Sequence, residues 1–255
     1  MIETKTPADI EKMREVGRVV ATALVKMEEA AEVGMTLRDL DAIGAGVLKD
    51  AGATSPFLNY HPDWAPTPFP GSICASVNDV IVHGIPNDTV IADGDVVSID
   101  FGGVLNGWCG DSARTFIVGN ARPEDELLVE VTRQSLFAGI EAAQVGNTIG
   151  DIGYAVNSFA KKHKFGNLKD HGGHGIGTEM HMDPFIPNVG KKGKGLKLFP
   201  GLVLAIEPMF IAGGRSDYRH DDDGWTIRSA KGGRAAHWEH TIAITEAGPQ
   251  ILTLP

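Results

Sequence analysis

Cysteine is scarce in this 255-residue chain, which has only Cys74 and Cys109. Two cysteines cannot build the disulfide framework of a small secreted protein, so we expect reduced thiols and a cytoplasmic location. Long apolar runs are also missing, since no stretch approaches the ~18 residues that a membrane-spanning helix needs. The first residues are charged and lead directly into a helix signal, which predicts no secretory signal peptide.

Basic residues are in deficit, with 23 Lys and Arg against 33 Asp and Glu, for a formal net charge of -10. This balance argues against a general nucleic-acid binder, whose affinity comes from clustered positive charge. The one basic cluster, within residues 191–197, alternates with glycines and is interpreted as a solvated loop. A hydrophobic fraction of 42% is that of an ordinary globular protein and excludes a disordered chain.

Glycine, in contrast, is abundant, at 32 residues, and it marks an internal repeat. Residues 33–40 and 145–152 both follow the pattern V-G-x-T-apolar-x-D-apolar, in which the threonine caps a helix. Residues 94–100 and 201–207 are a second pair of similar segments, each a buried strand that ends on an acid. The two offsets, 112 and 107 residues, are nearly equal, which favours two related halves.

The repeat predicts an α+β fold in a single domain, residues 1–255, with pseudo-symmetric halves of about 1–120 and 121–255. Helices are predicted over 6–34, 36–52, 123–146 and 148–166, and first-half strands over 73–77, 80–83, 96–104 and 113–118. A pseudo-twofold axis would place the strands of both halves in one central sheet, with the helices outside. The alternative is that capped helices and strands simply recur, as they do in many α/β chains.

Four carboxylates lie in or beside apolar strand sequences, where a lone charge is costly. Asp100 follows the run 96–99, and Asp111 follows a glycine-rich turn, so the two are predicted on facing strands of a hairpin. Glu207 is the second-half equivalent of Asp100, and Glu239 begins a further strand. The axis would bring Asp100 beside Glu207 and Asp111 near Glu239. Acids this close require cations, most economically two divalent metals about 3.5–4 Å apart.

Histidines in unusual surroundings complete the predicted site. His174 is surrounded by glycines, which let the backbone approach it closely. His181 follows seven residues later, and His83 ends another strand. Three further histidines are interpreted as surface or packing residues: His163, His220 and His237. A carboxylate-rich site with one imidazole suits Mn²⁺, Fe²⁺ or Co²⁺ at least as well as Zn²⁺, and two such ions sharing a hydroxide indicate a hydrolase of unknown substrate.

Five motifs resemble those of the methionine aminopeptidases, in the same order and over nearly the whole chain. They are VHGIP at 82–86, SIDFG at 98–102, GHGIG at 173–177, IEPM at 206–209 and EHT at 239–241. The resemblance implies the pita-bread fold, with two pseudo-symmetric halves around a dinuclear metal centre. It also implies removal of the N-terminal methionine from nascent proteins when the second residue is small. The short spacing from His174 to Glu207 resembles the type I enzymes, which lack the insertion of type II.

The resemblance further implies roles for individual residues. The metal ligands would be Asp100, Asp111, His174, Glu207 and Glu239, with Asp111 and Glu239 bridging the two ions. His83 and His181 would contact the substrate's amide and developing oxyanion, and Glu207 would carry a proton from the bridging water to the leaving amine. The methionine side chain would enter a pocket lined by Phe57, Tyr60, Phe69, Cys74, Met180 and Trp225. His171, three residues before His174, is the alternative ligand.

Cofactors and partners follow from the same resemblance. Each chain would hold two divalent ions (Co²⁺, Mn²⁺, Fe²⁺ or Zn²⁺) and one Na⁺ or K⁺ bound by backbone carbonyls near Asn78, Val80 and Ala235. The partners would be nascent polypeptide N-termini near the ribosome, with no nucleic acid and no membrane, and the protein would be a monomer.

Two other readings of the sequence remain open. One is an Xaa-Pro-type aminopeptidase of the same fold, which would usually carry an additional N-terminal domain. The other is an inactive pita-bread protein that serves as a binding module, against which the five ligand-competent positions argue. The loop at 61–68 is longer than the resemblance predicts, and it lies beside the expected methionine pocket.

Overall fold

The helices begin where the capping sequences predict, in a computed structural model that describes residues 2–255. They are α1 (Pro7–Ala30), α2 (Leu37–Asp50), α3 (Pro123–Ala142) and α4 (Ile149–His163). At the start of α2 and of α4, an aspartate carboxylate accepts hydrogen bonds from the N–H and the hydroxyl of the capping threonine, Thr36 or Thr148. The helices end two to four residues before the glycines predicted as stops, because Gly34, Gly52 and Gly146 lie in the turns beyond, at positive φ.

The strands of both halves join in one central sheet. Its members are β1 (Cys74–Val77), β3 (Asp95–Leu105), β4 (Trp108–Val118), β6 (Gly172–Gly175), β7 (Met182–Pro187), β8 (Val203–Ile206), β13 (Glu239–Thr245) and β14 (Gly248–Ile251). Their order is β1-β3-β4-β13-β8-β6-β7, with β14 paired to β13. Two smaller sheets lie beside it: β10 (Tyr218–His220), β11 (Ile227–Ser229) and β2 (Val80–Val82), and then β12 (Ala235–His237), β9 (Met209–Ile211) and β5 (Gly166–Asn167).

The two halves of the chain meet between β4 and β13. Backbone pairing there is short, covering Glu239 with Ala113 and the residue pair beside them. Threonine hydroxyls extend it on both sides. Thr115 Oγ1 accepts a hydrogen bond from the N–H of His237 and donates to its carbonyl, at 2.9 and 2.7 Å. Thr241 Oγ1 makes the same two bonds with the backbone of Asp111, at 3.1 and 2.7 Å. Each half therefore fixes a backbone segment of the other.

This strand order corrects one expectation from the repeat. Asp100 lies on β3 and Glu207 directly follows β8, and the two central strands lie between them. The two acids are consequently an outer pair rather than direct neighbours. The reason is that the halves join through β4 and β13, so the symmetry-related strands β3 and β8 are placed on opposite sides of the junction.

Each half covers its side of the sheet with its own pair of helices. Helices α1 and α2 pack on β3 through residues that include Leu24, Leu40 and Phe101. Helices α3 and α4 pack on β8 and β13 through residues that include Leu136 and Ile152. None of the helices described within residues 2–255 is both long and apolar enough to cross a membrane.

Helix α1 also contacts the far end of the chain. The Arg14 guanidinium donates to the Ile251 carbonyl at 3.2 Å and to the Gln250 side chain at 2.9 Å. Gly17 lies so close to the backbone of Leu252 that a Cβ at this position would clash with its carbonyl oxygen. Packing between α1 and residues 250–252 therefore depends on glycine at position 17.

Candidate metal centre

Most of the predicted acids lie on one row of residues across the central sheet. The strand registers align Cys74 with Asp100, Asp100 with Ala113, and Ala113 with Glu239. Asp111 lies two residues from Ala113 on β4, one diagonal step from Asp100 on the facing strand. Ala113 contributes only a methyl group between Asp100 and Glu239, so the centre of the row remains open for the carboxylates.

The second-half acids lie where a long strand pair is interrupted. β8 pairs with β13 and β9 pairs with β12 in one common register, which places Glu207 opposite Glu239 in the gap. Pro208, within this gap, has no N–H with which to continue the ladder. Like charges at directly opposed positions destabilise a sheet unless a counter-charge lies between them.

Close packing around β6 explains the glycines on either side of His174. A Cβ at Gly173 would overlap the carbonyl oxygen of Ala205 on β8, and one at Gly175 would overlap the carbonyl oxygen of Asp183 on β7. Larger residues at these two positions would therefore force β6 away from its neighbours. The glycine-rich motif holds the backbone of His174 against the sheet, as the sequence predicts.

The His174 imidazole faces the acids. Its Nε2 lies 3.6 Å from Asp111 Oδ2 and 3.8 Å from Glu207 Oε1. One ligand atom each from Asp111, His174 and Glu239 lies within 4.8 Å of the other two. Nδ1 is 2.9 Å from the carbonyl oxygen of Gly175, so Nδ1 carries the proton and Nε2 is directed at the cluster. Burial opposes a charge on His174, but the carboxylates of Asp111 and Glu207 outweigh it and raise its pKa.

Three buried carboxylate oxygens of the cluster have no hydrogen-bond partner among the described residues: Asp100 Oδ1, Asp111 Oδ1 and Glu239 Oε1. Burial, followed by repulsion from Asp111 and Glu207, raises the pKa of both Asp100 and Glu239 well above the ordinary value. Unpaired buried carboxylates are costly, and a divalent cation removes that cost by binding their oxygens. These side chains therefore fit the metal ions that the sequence predicts.

His83 and His181 line the same cavity as the acids. His83 directly follows β2 with φ 59°, in the left-handed region that a non-glycine residue rarely occupies. Its Nδ1 is buried without a partner among the described residues, and burial lowers its pKa to about 3. The His181 ring centre is 4.5 Å from that of His174, and burial lowers its pKa as well. Both imidazoles are therefore neutral near pH 7.

A cavity of about 540 Å³ is lined by the acids and, in part, by Phe, Tyr and Trp side chains. Five of the six residues predicted for a methionine pocket line it: Phe57, Tyr60, Phe69, Cys74 and Trp225. The sixth, Met180, lies in the same buried hydrophobic cluster as Phe57 and Trp225. Burial raises the pKa of the Cys74 thiol, and the neighbouring acids add to the effect, so the thiol stays protonated and apolar.

Trp64 is a cavity residue that the sequence did not single out. It belongs to the long loop at 61–68, is 62% exposed, and meets Trp225 edge-on with ring centres 5.0 Å apart. Trp225 in turn meets Phe69 at 5.1 Å. The loop thus adds an aromatic rim to the cavity. The sequence shows the extra length of HPDWAPTP, but it does not show which residue of this loop lines the cavity.

Two other histidines lie at the site. His171 lines the cavity, and its ring meets that of Tyr218 edge-on at 5.0 Å. His237, interpreted from sequence as a surface or packing residue, is buried with its Nε2 facing Glu207 and Glu239 at 3.6 and 4.0 Å. Its burial agrees with a packing position, but its imidazole also faces two of the predicted ligands, and its position in the sequence gives no sign of this.

The predicted alkali-metal position lies away from the acids, at the turn between β1 and β2. Asn78 has φ 56° there, and its carbonyl accepts a hydrogen bond from the Ala235 N–H at 2.8 Å. Its side-chain amide donates to Asp95 at 2.8 Å. A monovalent cation at Asn78, Val80 and Ala235 stays a prediction.

The fold and the acid cluster define a metal-dependent hydrolase. Residues 11–246 match the sequence profile of metallopeptidase family M24, and the chain belongs to this family. Relatives that the chain matches over its full length include methionine aminopeptidases. "Methionine aminopeptidase 1" of Mycobacterium tuberculosis (strain CDC 1551 / Oshkosh) is 47% identical, over 100% of this chain and 96% of its own. "Methionine aminopeptidase 1" of Bacillus subtilis (strain 168) is 43% identical, over 99% of both.

Solved structures of the same fold include a methionine aminopeptidase and a prolidase. The methionine aminopeptidase of Thermotoga maritima superimposes with a TM-score of 0.95 at 38% identity, covering 100% of both chains. The prolidase of Pyrococcus furiosus has a TM-score of 0.76 at 23% identity, and the match covers 99% of this chain but 65% of the prolidase. The second likeness concerns the fold alone. Together they confirm the pita-bread fold and the resemblance to the methionine aminopeptidases.

Proposed function

We propose that this protein is an aminopeptidase that removes N-terminal methionine when the next residue is small. The observation that carries the proposal is the position of the acid and imidazole cluster at the base of an aromatic cavity. A divalent centre at that place can hydrolyse an amide bond, and the apolar wall can hold an unbranched side chain beside it. Full-length similarity to methionine aminopeptidases supports the same substrate.

Five side chains would hold the metal ions: Asp100, Asp111, His174, Glu207 and Glu239. The centre contains two divalent ions in this proposal, drawn from Co²⁺, Mn²⁺, Fe²⁺ and Zn²⁺, with a separate Na⁺ or K⁺ near Asn78. Divalent ions held there would supply Lewis acidity toward a carbonyl oxygen and toward water. Asp111 and Glu239, which lie with His174 in the centre of the cluster, would be the ligands that the two ions share.

The remaining chemistry belongs to the chain's own groups. Glu207 accepts the proton of the attacking water and delivers it to the leaving amine. Its side chain is 14% exposed, against 2% for Glu239 and 4% for Asp111, so Glu207 is more open to the cavity than either of these two acids. His83 and His181 donate N–H hydrogen bonds, His83 to the substrate amide and His181 to the oxygen that gains charge in the transition state.

The aromatic wall sets the specificity for the first residue. A pocket of this kind distinguishes side chains that differ by one methylene by only ~10–200-fold, so leucine and norleucine should be cleaved slowly. The wall at His83 would exclude a large second residue. The physiological substrates would be the N-termini of nascent chains near the ribosome, in the cytoplasm, and the enzyme would act as a monomer without nucleic acid or membrane.

Hydrolysis of a Met-Ala-Ser peptide, compared with Met-Lys and Xaa-Pro peptides, tests this proposal. The metal content of the gently purified protein should be measured on the same sample. We expect cleavage of Met-Ala-Ser that stops when a chelator is added and returns with Co²⁺ or Mn²⁺. Equal cleavage of Met-Lys and Met-Ala peptides would overturn the specificity, preference for Xaa-Pro would indicate the prolidase type, and a protein without metal or activity would be a binding module.

A further inference from the structure

His237 is a buried histidine whose position the proposed mechanism does not use. Its side chain is 2% exposed, and Nε2 has no hydrogen-bond partner among the described residues. The charged atoms that face Nε2 are Glu207 Oε2 at 3.6 Å and Glu239 Oε2 at 4.0 Å. A buried polar nitrogen is rarely left without a hydrogen-bond partner in a native protein. Glu207 and Glu239 are therefore the candidate acceptors for a hydrogen bond from Nε2.

Glu207 consequently lies between two imidazoles. His174 Nε2 approaches its Oε1 at 3.8 Å, and His237 Nε2 approaches its Oε2 at 3.6 Å. Nδ1 of His174 bonds the Gly175 carbonyl, so Nε2 is the nitrogen of His174 that would bind metal. For His237 an N–H at Nε2 follows, because a lone pair there would be directed at two carboxylate oxygens and would repel them, whereas an N–H attracts them.

The backbone of His237 is fixed independently of its side chain. Thr115 bonds both its N–H and its carbonyl, and the Thr115 hydroxyl is held in turn by Ser98 at 2.8 Å. On its other edge, His237 pairs with Met209 of β9, two residues beyond Glu207. The imidazole is thereby held at a fixed distance from Glu207, as a residue that orients another group must be.

We propose that His237 is a positioning residue of the metal centre, whose Nε2–H donates to Oε2 of Glu207 and leaves Oε1, beside His174, to bind metal. The inference rests on the proposed function, since it concerns the same five ligands. A distance of 3.6 Å exceeds that of a hydrogen bond, and such contacts are often long in the free protein and shorten when the site is occupied. A hydrogen bond to Oε2 restricts the Glu207 side chain before metal binds, so less conformational entropy is lost when Oε1 binds the ion.

The test is a Co²⁺ titration by calorimetry, with the visible absorption spectrum of bound Co²⁺ as a second readout. The His237→Leu variant removes the donor and should bind Co²⁺ ~10–100-fold more weakly. The His237→Gln variant keeps an N–H at a similar reach and should restore both the affinity and the spectrum. His237→Asn has the same amide on a shorter side chain and should bind Co²⁺ as weakly as His237→Leu does. This variant controls for the polarity of the side chain, and it provides a second measurement if the leucine variant does not fold.

His240→Gln is the matched control. His240 is also a buried histidine beside Glu239, but its Nδ1 bonds the Thr253 hydroxyl at 2.8 Å and its ring meets Phe137 edge-on. This variant should lower the melting temperature without changing Co²⁺ affinity. Wild-type affinity in both His237→Leu and His237→Asn would overturn the inference. A glutamine variant as weak as the leucine variant, with an altered spectrum, would mean that the imidazole itself binds metal and would also overturn it.

The outcome for His237 is separable from that for the proposed function. Should the unsubstituted protein bind no Co²⁺ and cleave no Met-Ala-Ser, the metal centre itself is wrong. Should it bind Co²⁺ and cleave the peptide while every His237 variant does the same, only the positioning role is wrong.

Discussion

The two halves of the molecule deliver their acids to the centre in different ways. In the first half, Asp100 and Asp111 lie on a continuous hairpin, whose register runs without interruption from Asp95 and Val118 to the turn. In the second half, Glu207 and Glu239 lie where the strand ladder is broken. The hairpin fixes two acids rigidly. Of the two acids at the break, Glu207 is the more exposed, at 14% against 2% for Glu239, which suits the proton exchange proposed for it.

The largest expected effect tests whether the two halves are equal partners in metal binding. Asp111→Asn in the first half and Glu239→Gln in the second should each remove metal and lower activity by at least ~10⁴-fold. Both acids lie in the central cluster with His174. Metal content and Met-Ala-Ser hydrolysis should be measured together. A variant of either acid that keeps full metal content would show that its half does not contribute to the centre.

The next effect separates metal binding from transition-state stabilisation within the second half. His181→Ala should lower kcat by ~10²–10³-fold while metal content stays at the wild-type level, because a donor to the oxyanion acts mainly in the transition state. His174→Ala should instead lose metal, and added Mn²⁺ or Co²⁺ should partly restore its activity. If His181→Ala loses metal as His174→Ala does, or keeps full activity, the assigned role is wrong.

A third effect concerns the pH dependence of the metal-free protein. The folded pKa of Asp100 lies well above its unfolded value, chiefly through burial. The folded state therefore binds the proton more tightly, and this stability is lost as pH rises from about 4 toward the raised pKa. Asp100→Asn should consequently stabilise the metal-free protein, and more at pH 8 than at pH 5. Thermal melting with and without chelator measures the difference, and an effect independent of pH would contradict it.

The smallest effect concerns a feature that the two halves share. Thr36 and Thr148 begin equivalent helices, and at each the N–H and the hydroxyl of the threonine donate to the carboxylate of an aspartate three residues later. Thr36→Ala and Thr148→Ala should each lower the free energy of unfolding by about 1 kcal/mol, with little change in kcat. Denaturant unfolding of the two variants provides the comparison. A large loss in only one of them would mean that tertiary contacts, rather than the cap, stabilise that helix.

Local sequence signals predicted much of this structure. The caps at Thr36 and Thr148, the hairpin that carries Asp100 and Asp111, and the glycines that allow β6 to pack around His174 all follow from residues near one another in the chain. These signals succeed because turns, caps and close backbone approaches depend on a few neighbouring residues.

The features that escaped prediction depend on distant pairings. The inward direction of His237 is set by the register of β12 with β9 and by a hydroxyl from β4. The separation of Asp100 from Glu207 is set by which strands meet at the junction of the halves. Trp64 reaches the cavity through the path of an irregular loop. No local pattern determines these outcomes, because each is decided by which element packs against which.

The contact between α1 and residues 250–252 also bears on how the chain is made. Arg14 and Ile251 are 237 residues apart, so α1 leaves the ribosome long before its packing partner has been synthesised. Closing so long a loop is entropically costly and must be repaid by contacts formed together. The packing of α1 against residues 250–252 therefore cannot be completed until the chain has been synthesised up to those residues.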